Sequence, residues 1–297
     1  MTPPASRWSA VVVNFESGAL LLECVRSLLA DDTAGAPEVV VVDNGSTDGS
    51  VAALRAALPN VIVVDPGGNL GYAGAANRGI AVATAPVVAV GNTDLVVAPG
   101  TAAALVARLD AEPDLAAVGP ALRNPDGSLY PSARAHASNV DAVGHAVLGR
   151  IFPKNPFTCR YRQLDVDWSR PRDVDWVSGA FLFLRRSALD SVGGWDERYF
   201  MYMEDYDLCW RLRRLGWRVA YEPAGRVTHV QGASTAARPY RMIAEHHRSA
   251  YRFLARRWRG PRRLLLVPAA CFLSVRALFD MAARALGTRP GTPRVSG

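Results

Sequence analysis

Val39-Val40-Val41-Val42-Asp43-Asn44-Gly45-Ser46-Thr47-Asp48-Gly49-Ser50, followed by Val51 to Leu58, is the stretch on which the fold turns. A run of four valines reads as a strand buried on both faces, and the short polar residues after it read as a turn that opens a helix. The same rhythm repeats on either side. Apolar runs at Ala10 to Val13, Val61 to Val64 and Val87 to Val90 alternate with helical patterns at Gly18 to Leu29, Ala73 to Ala83 and Thr101 to Leu109. This alternation predicts an α/β fold, a mostly parallel, Rossmann-like sheet flanked by helices, whose ligands gather at the carboxyl ends of the strands. From Val118 onward the rhythm becomes irregular. Turn signals at Asn124-Pro125-Asp126-Gly127 and prolines at Pro153, Pro156 and Pro171 predict loops and short strands over the sheet, before apolar strands at Phe181 to Leu184 and Val219 to Tyr221.

The composition bounds the partners. With 297 residues, 49% of them apolar, the chain can bury one substantial core, so residues 1–235 are expected to form the main domain and 236–297 a C-terminal appendage. The formal charge of +7 rests on arginine, Lys154 being the only lysine, and forked guanidinium groups suit phosphate oxygens. Nucleotide diphosphates and acidic lipid headgroups fit that charge; no zinc-finger, basic-zipper or aromatic RNA-binding pattern points to nucleic acid. Cys24, Cys159, Cys209 and Cys271 are too scattered for a disulfide framework or a zinc site. Residues Met1 to Arg7 carry no apolar leader, so a cytoplasmic protein is expected. In the appendage, Arg241 to Arg259 and Arg262 to Arg284 mix arginine with Tyr251, Phe253, Leu254, Trp258, Phe272, Leu278 and Phe279, which predicts basic amphipathic helices. The uncharged run Leu264 to Val275 contains Pro268 and falls short of the roughly 20 residues of a spanning helix. The sequence therefore predicts no conventional transmembrane segment. Thr288 to Gly297, rich in Pro and Gly, reads as a disordered tail.

Several segments could carry chemistry. In Phe200-Met201-Tyr202-Met203-Glu204-Asp205-Tyr206-Asp207-Leu208-Cys209-Trp210-Arg211-Leu212, paired acids interrupt an aromatic run where a helix begins, and Gly216 is placed to end it. Free N–H groups and the helix dipole there favour an ionised carboxylate, as a general base requires; ordinary capping acids look the same. Asp43, Asp65 and Asp94 all stand at predicted strand ends. Asp43 to Ser50 could wrap a nucleoside or simply turn the chain. Asn69-Leu70-Gly71-Tyr72-Ala73-Gly74-Ala75-Ala76-Asn77-Arg78-Gly79 puts small residues at a helix start, but without the G-x-G-x-x-G spacing of a dinucleotide fold. Asn92-Thr93-Asp94 is similar to the D-x-D element by which nucleotide-sugar enzymes hold a divalent cation against a diphosphate, with its first acid replaced by Asn92. His229 could add a metal or phosphate contact, or satisfy a buried carbonyl. No G-x-S-x-G elbow or Cys/His pairing suggests a covalent nucleophile.

Taken together, Asp43 to Asp48, Asn69 to Gly79, Asn92-Thr93-Asp94 and Glu204-Asp205 resemble, in order and spacing, the inverting family 2 glycosyltransferases over roughly residues 9 to 235. The resemblance implies a GT-A fold and a nucleotide-sugar donor contacted by Asn14, Asp43, Asn44, Gly45, Ser46, Asn69, Gly71, Asn77, Asn92, Thr93 and Asp94. It implies a divalent cation, Mg or Mn, at Asp94 with His229, and Asp205 as the catalytic base with Glu204 orienting it. A closer likeness lies in Asn124-Pro125-Asp126-Gly127-Ser128-Leu129-Tyr130-Pro131-Ser132-Ala133-Arg134, in Phe152-Pro153-Lys154-Asn155-Pro156-Phe157 and in Arg198 to Asp205, which look like the bacterial cell-wall linker rhamnosyltransferases. That family implies dTDP-rhamnose as donor and N-acetylglucosamine on a polyprenyl diphosphate as acceptor. It also implies an anionic membrane surface at the inner face of the plasma membrane, met peripherally by the basic helices, unless these form a lid or a homodimer contact. Where the family shows Asn-Pro-Asp, this chain has Asn92-Thr93-Asp94, so that loop is expected to be shaped differently. Trp176, Ser178, Gly179, Trp195 and Asp196 are candidates for the acceptor side, since aromatics stack on sugar faces but also fill cores. The alternatives are a family 2 transferase using another nucleotide sugar, such as UDP-galactofuranose, and a non-catalytic nucleotide- or lipid-binding module, against which the intact acid pair argues.

Overall fold

The valine runs become the centre of a sheet. In the computed structural model, which describes residues 6–134, 138–149, 151–163, 166–230 and 239–286, β1 (Trp8–Asn14) is followed by α1 (Leu20–Ala30), β2 (Glu38–Asp43), α2 (Ser50–Ala57), β3 (Ile62–Val64), α3 (Gly71–Val82) and β4 (Val87–Asn92). The four strands are parallel, in the order β3-β2-β1-β4. Successive strand residues point to opposite faces, so the runs feed two cores. Val11, Val13, Val40 and Val42 pack with Ala73, Ala76 and Ile80 of α3; Ala10, Val12, Val39 and Val41 pack with Leu21, Val25 and Leu28 of α1.

Past β4 the sheet becomes mixed. β5 (Leu95–Val97), α4 (Thr101–Ala111) and β6 (Leu115–Arg123) lead into β7 (Ala133–Arg134), α5 (Asn139–Leu148), α6 (Pro156–Arg162), β8 (Arg172–Val174), β9 (Trp176–Val177) and β10 (Phe181–Arg185). Then come α7 (Arg186–Ser191), α8 (Glu204–Arg214) and the long β11 (Arg218–His229). The order continues β4-β10-β6-β11-β5: β10 runs antiparallel to both of its neighbours, β11 parallel to β6 but antiparallel to β5 and β8. The sheet is parallel over its first four strands and again between β6 and β11.

Two sequence expectations need correction here. The chain stays regular well beyond Val118, because β6 continues through Gly119-Pro120 to Arg123. Pro120 lies opposite Glu222, where the register with β11 shifts, so the missing N–H falls beside an irregular stretch of the ladder. Likewise the proline-rich region is not all loop. Ser138 and Asn155 accept the Asp141 and Thr158 N–H groups as N-caps of α5 and α6, and Pro156 takes the first turn of α6, where a proline costs nothing.

A third correction concerns the C-terminal helices. α9 (Pro239–Arg257) is fastened to the body: Ser249 Oγ donates to the Met201 carbonyl at 2.9 Å, Phe253 lies edge-on to Tyr206 and Trp210, and Arg256 pairs with Asp196 and Asp207. A 3₁₀ turn, Gly260–Leu265, runs into α10 (Leu266–Ala285). Together Gly260–Ala285 form 26 helical residues with a mean hydropathy of 1.8 in their most apolar window and none of that window buried, long and apolar enough by length and composition to cross a membrane. The sequence reads as lacking such a segment because the uncharged run Leu264 to Val275, which contains Pro268, falls short of about 20 residues, whereas the helix runs on past Arg276. Pro268 falls in the first turn of α10, where it is tolerated. The expected tail, Thr288 to Gly297, lies outside the described residues.

Gly71 decides how the two halves meet. Its φ is +76°, a Cβ there would lie 2.3 Å from the Phe200 carbonyl oxygen, and the next N–H, of Tyr72, donates to that oxygen at 2.8 Å. Gly71→Ala should therefore cost more than the roughly 1–2 kcal/mol of left-handed strain alone. Gly35→Ala, at φ +88° with nothing within 4 Å of its Cβ, is the control that pays only the strain. Thermal melts should show the larger loss for Gly71→Ala; equal losses would mean that the close approach to Phe200 is not a constraint.

Candidate active site

A cavity of about 1200 Å³ opens at the carboxyl ends of β1 and β4 and reaches the N-terminus of α8. Asn44, Asn69 and Gly71 line it on one side. Asn44 is buried and joins two loops: it donates to Asn69 Oδ1 and the Gly71 carbonyl, both at 3.1 Å, and accepts the Leu70 N–H at 2.7 Å. Behind it, the fully buried Asn14 amide lies 3.0 Å from Asp43 Oδ1 and 3.1 Å from Ser46 Oγ. Asn14, Asp43, Gly45 and Ser46 thus build the turn behind the wall and do not line the cavity. Asn77 is more distant in role, since its amide bonds the Trp195 backbone and Glu197, holding α3 to a loop.

Asn92, Thr93 and Asp94 close the floor after β4. The antiparallel pairing of β11 with β5 sets His229 opposite Leu95, and Val230 N–H donates to the Asp94 carbonyl at 2.9 Å. His229 Nε2 consequently comes within 3.2 Å of Asp94 Oδ1, both side chains being buried. The two are close but poorly aligned. Asp94 Oδ1 and His229 Nδ1 have no hydrogen-bond partner among the described residues. A buried carboxylate oxygen without a partner beside an imidazole nitrogen suits a divalent cation that takes its other ligands from diphosphate and water, because no group of three His, Cys, Asp or Glu side chains completes a site among the described residues.

Across the cavity stand Glu204 and Asp205. The chain enters α8 through Tyr202 and Met203, both left-handed at φ +68° and +66°, a strained conformation that clusters at functional sites. Asp205 Oδ2 accepts the Gly179 N–H and Oδ1 the Tyr206 N–H, each at 2.7 Å. A Cβ on Gly179 would sit 3.1 Å from Asp205 Cβ, so a larger residue would crowd this contact. The sequence led us to expect a helix terminus that keeps both acids ionised, and burial overrides it. Burial pushes the Asp205 carboxyl above its ordinary value, with the N–H groups of Gly179 and Tyr206 opposing. Burial pushes Glu204 well above its own, and the charge of Asp205 pushes it further. Glu204 Oε2 has no partner among the described residues. Two buried carboxyls side by side resist losing both protons, and the N–H groups of Gly179 and Tyr206 favour the ionised form of Asp205.

Trp176, Ser178 and Gly179 line the same cavity, whereas Trp195 and Asp196 do not. Trp195 is 2% exposed and lies edge-on to Tyr72 in the core. Asp196, although burial raises it, is held at about 2 by hydrogen bonds and charge from Arg198, with Arg256 adding. It anchors α9 instead of facing the cavity. Several wall residues carried no site signal in the sequence: Phe15, Tyr72, Tyr130, Arg134, Tyr202 and Arg241. Tyr130 and Arg134 stood inside a quoted stretch, and pairing of β7 with β9 carries the Arg134 guanidinium to 5.7 Å from the Trp176 ring centroid. Burial raises the Tyr130 hydroxyl, and beside the opposing Arg134 the charges of both Asp205 and Asp94 raise it too. Tyr72, buried, feels Glu204, Asp205 and Asp94. The acid of α8 and the acid after β4 therefore act on the same two rings.

Residues 9–193 match glycosyl transferase family 2, and residues 157–286 match glycosyl transferase family group 2. The chain is 43% identical over 271 residues to N-acetylglucosaminyl-diphospho-decaprenol L-rhamnosyltransferase of Mycobacterium tuberculosis, covering 86% of this chain and 88% of that protein. It is 39% identical over 84 residues, 28% of this chain and 32% of the other, to the rhamnosyltransferase WbbL of Escherichia coli K12. Among solved structures, a mannosyltransferase from Pyrobaculum calidifontis in complex with GDP-Man and Mn²⁺ superposes with a TM-score of 0.58 at 20% identity, covering 99% of this chain and 78% of that one. GalNAc-T7 with UDP, GalNAc and Mn²⁺ gives 0.54 at 16% identity, covering 75% and 43%.

The acid pair makes a prediction about pH. Because the folded value of Glu204 lies above its ordinary 4.5, the wild type is stabilised by this group below that value and loses the contribution as pH rises through the folded value. Glu204→Gln does not titrate, so its melting temperature should gain on the wild type as pH is raised from about 4 to about 8. Parallel curves for the two proteins would remove the shift.

Proposed function

The chain belongs to glycosyl transferase family 2, and on that basis we propose that it transfers rhamnose from dTDP-rhamnose to a hydroxyl of N-acetylglucosamine carried on a polyprenyl diphosphate. The name of the Mycobacterium relative supports the sugar and the lipid-linked acceptor, and the observation that carries the chemistry is Asp205 facing the Asp94–His229 pair across one cavity. The reaction is a single displacement. Asp205 takes the proton of the acceptor hydroxyl as its oxygen bonds to the anomeric carbon, while the carbon–oxygen bond to the diphosphate breaks on the opposite face and the configuration inverts. The raised value of Asp205 makes it a stronger base than an exposed aspartate, and the neutral Glu204 leaves that single charge in place. Asp94 and His229 would hold Mg²⁺ or Mn²⁺, whose charge offsets that of the departing thymidine diphosphate. Asn44, Asn69 and Asn92 are placed to meet the donor; Trp176 and Ser178 are placed to meet the acceptor sugar.

An acceptor whose lipid stays in the bilayer needs an enzyme at its surface. We assign the protein to the cytoplasmic face of the plasma membrane, held peripherally by α10. Leu264 in the 3₁₀ turn and Val267, Val275, Leu278 and Phe279 on α10 are all at least 60% exposed, and Arg259, Arg262 and Arg263 precede the helix. His247 on α9 lies 3.7 Å from Asp280, so α10 packs along α9, which supports a helix lying on the membrane surface.

Asp205→Asn should lower turnover by ~10²–10⁴-fold while the melting temperature and thymidine diphosphate binding stay near wild type. Asp94→Ala should instead abolish the cation dependence of nucleotide binding in calorimetry, where dTDP is compared with UDP and GDP. Full turnover by a folded Asp205→Asn protein would defeat the base assignment; no transfer from dTDP-rhamnose to a lipid-diphospho-N-acetylglucosamine acceptor would defeat the substrate assignment. On vesicles, the protein should float with anionic lipid and lose this with Val275→Glu and Phe279→Glu combined. Flotation unaffected by that change would place the contact elsewhere.

A further inference from the structure

The cavity does not end at the acids. It continues between the C-terminal helices, where α10 and the residue before it contribute Leu265, Pro268, Ala269, Phe272, Leu273 and Arg276. These positions recur at i, i+3, i+4, i+7, i+8 and i+11, one face of a helix. The opposite face carries Val267, Cys271 and Leu278, all exposed, while Val275 and Phe279 fall on the lining side. α10 is thus apolar on two sides, and no residue of it is buried. A helix of this kind needs one apolar partner outside and another inside.

We propose, resting on the acceptor reading above, that the inner partner is the acceptor's own lipid: the isoprene units next to the diphosphate lie between α9 and α10, with the diphosphate toward Arg241 and Arg276. Continuity is the first argument. The groove and the Asp205 site are one cavity, so a chain in the groove would lead its head group to the base. Charge is the second. Arg241, over the Phe200 ring at 4.5 Å, and Arg276, which lies 3.8 Å from Asp280, are cations of the wall, and Arg241 stands beside the turn that carries Tyr202 and Met203 into α8. Between that turn and the far end the α9 wall turns apolar at Ala250 and Leu254. Length is the third. From Leu265 to Arg276 the face spans about 16 Å at roughly 1.5 Å per residue, room for a few isoprene units and too short for a long polyprenyl chain. The remainder would leave past α10 into the lipid that its outer face meets.

Direct binding separates this from the transfer reaction. Farnesyl diphosphate titrated into the full-length protein should bind, and isopentenyl diphosphate, with the same charge and one isoprene unit, should bind at least about tenfold more weakly. Ala269→Trp, which fills the groove, should weaken farnesyl diphosphate by about tenfold or more while thymidine diphosphate binding is unchanged. Arg276→Gln should weaken both prenyl diphosphates alike. Leu273→Glu, checked for folding by circular dichroism, serves the same purpose if Ala269→Trp does not fold. Equal affinity for the two prenyl diphosphates, or wild-type farnesyl diphosphate binding in the folded groove variants, overturns the proposal. Failure of sugar transfer with farnesyl diphosphate binding intact would instead strike the substrate reading and leave the groove standing.

Discussion

The contact at Gly71 is the constraint on which the active site depends. The α/β half offers its ligand-facing loops at the ends of β1, β2 and β4, and the acid pair arrives more than a hundred residues later on α8. The two are joined where the Tyr72 N–H meets the Phe200 carbonyl, at a backbone approach that only glycine permits. The Tyr72 hydroxyl then donates to the Gly179 carbonyl, while the Gly179 N–H binds Asp205. One short relay of hydrogen bonds, each with at least one backbone group, therefore sets Asp205 against the loops after β2 and β4. Side-chain packing alone would leave that distance soft, whereas directional hydrogen bonds to the backbone hold it firmly.

Electrostatics then follow from burial. A carboxylate at a helix start is usually stabilised by the helix dipole, and an exposed Asp205 would be a weak base. Enclosed in the cavity, it holds its proton more tightly than an exposed aspartate, as a group that accepts a proton near neutral pH must. In the same cavity, one oxygen of Asp94 has no hydrogen-bond partner among the described residues, a cost that a bound ligand would offset.

Much of this was legible beforehand. The valine runs gave β1, β2 and β4, because strands buried on both faces have no choice but continuous apolar residues; the acid pair, Asn92 to Asp94 and His229 were readable as chemistry by residue type and position. What was hidden was pairing over long separations. Nothing in Thr228-His229-Val230 indicates that β11 returns beside β5, so the closeness of His229 to Asp94 needed the sheet order. Trp195 and Asp196 illustrate the converse. An aromatic and an acid beside the site stretch look like ligand contacts, yet one fills the core against Tyr72 and the other anchors Arg198 and Arg256. Counting only the uncharged run Leu264 to Val275 also misled, since the helix continues through the flanking arginines to Ala285.

The left-handed pair Tyr202 and Met203 ties α9 to the start of α8. Each such residue stores on the order of 1–2 kcal/mol, and the Ser249 hydroxyl of α9 holds the Met201 carbonyl just before them. A chain without α9 would therefore lose one restraint on the strained turn that delivers Glu204 and Asp205 to the cavity.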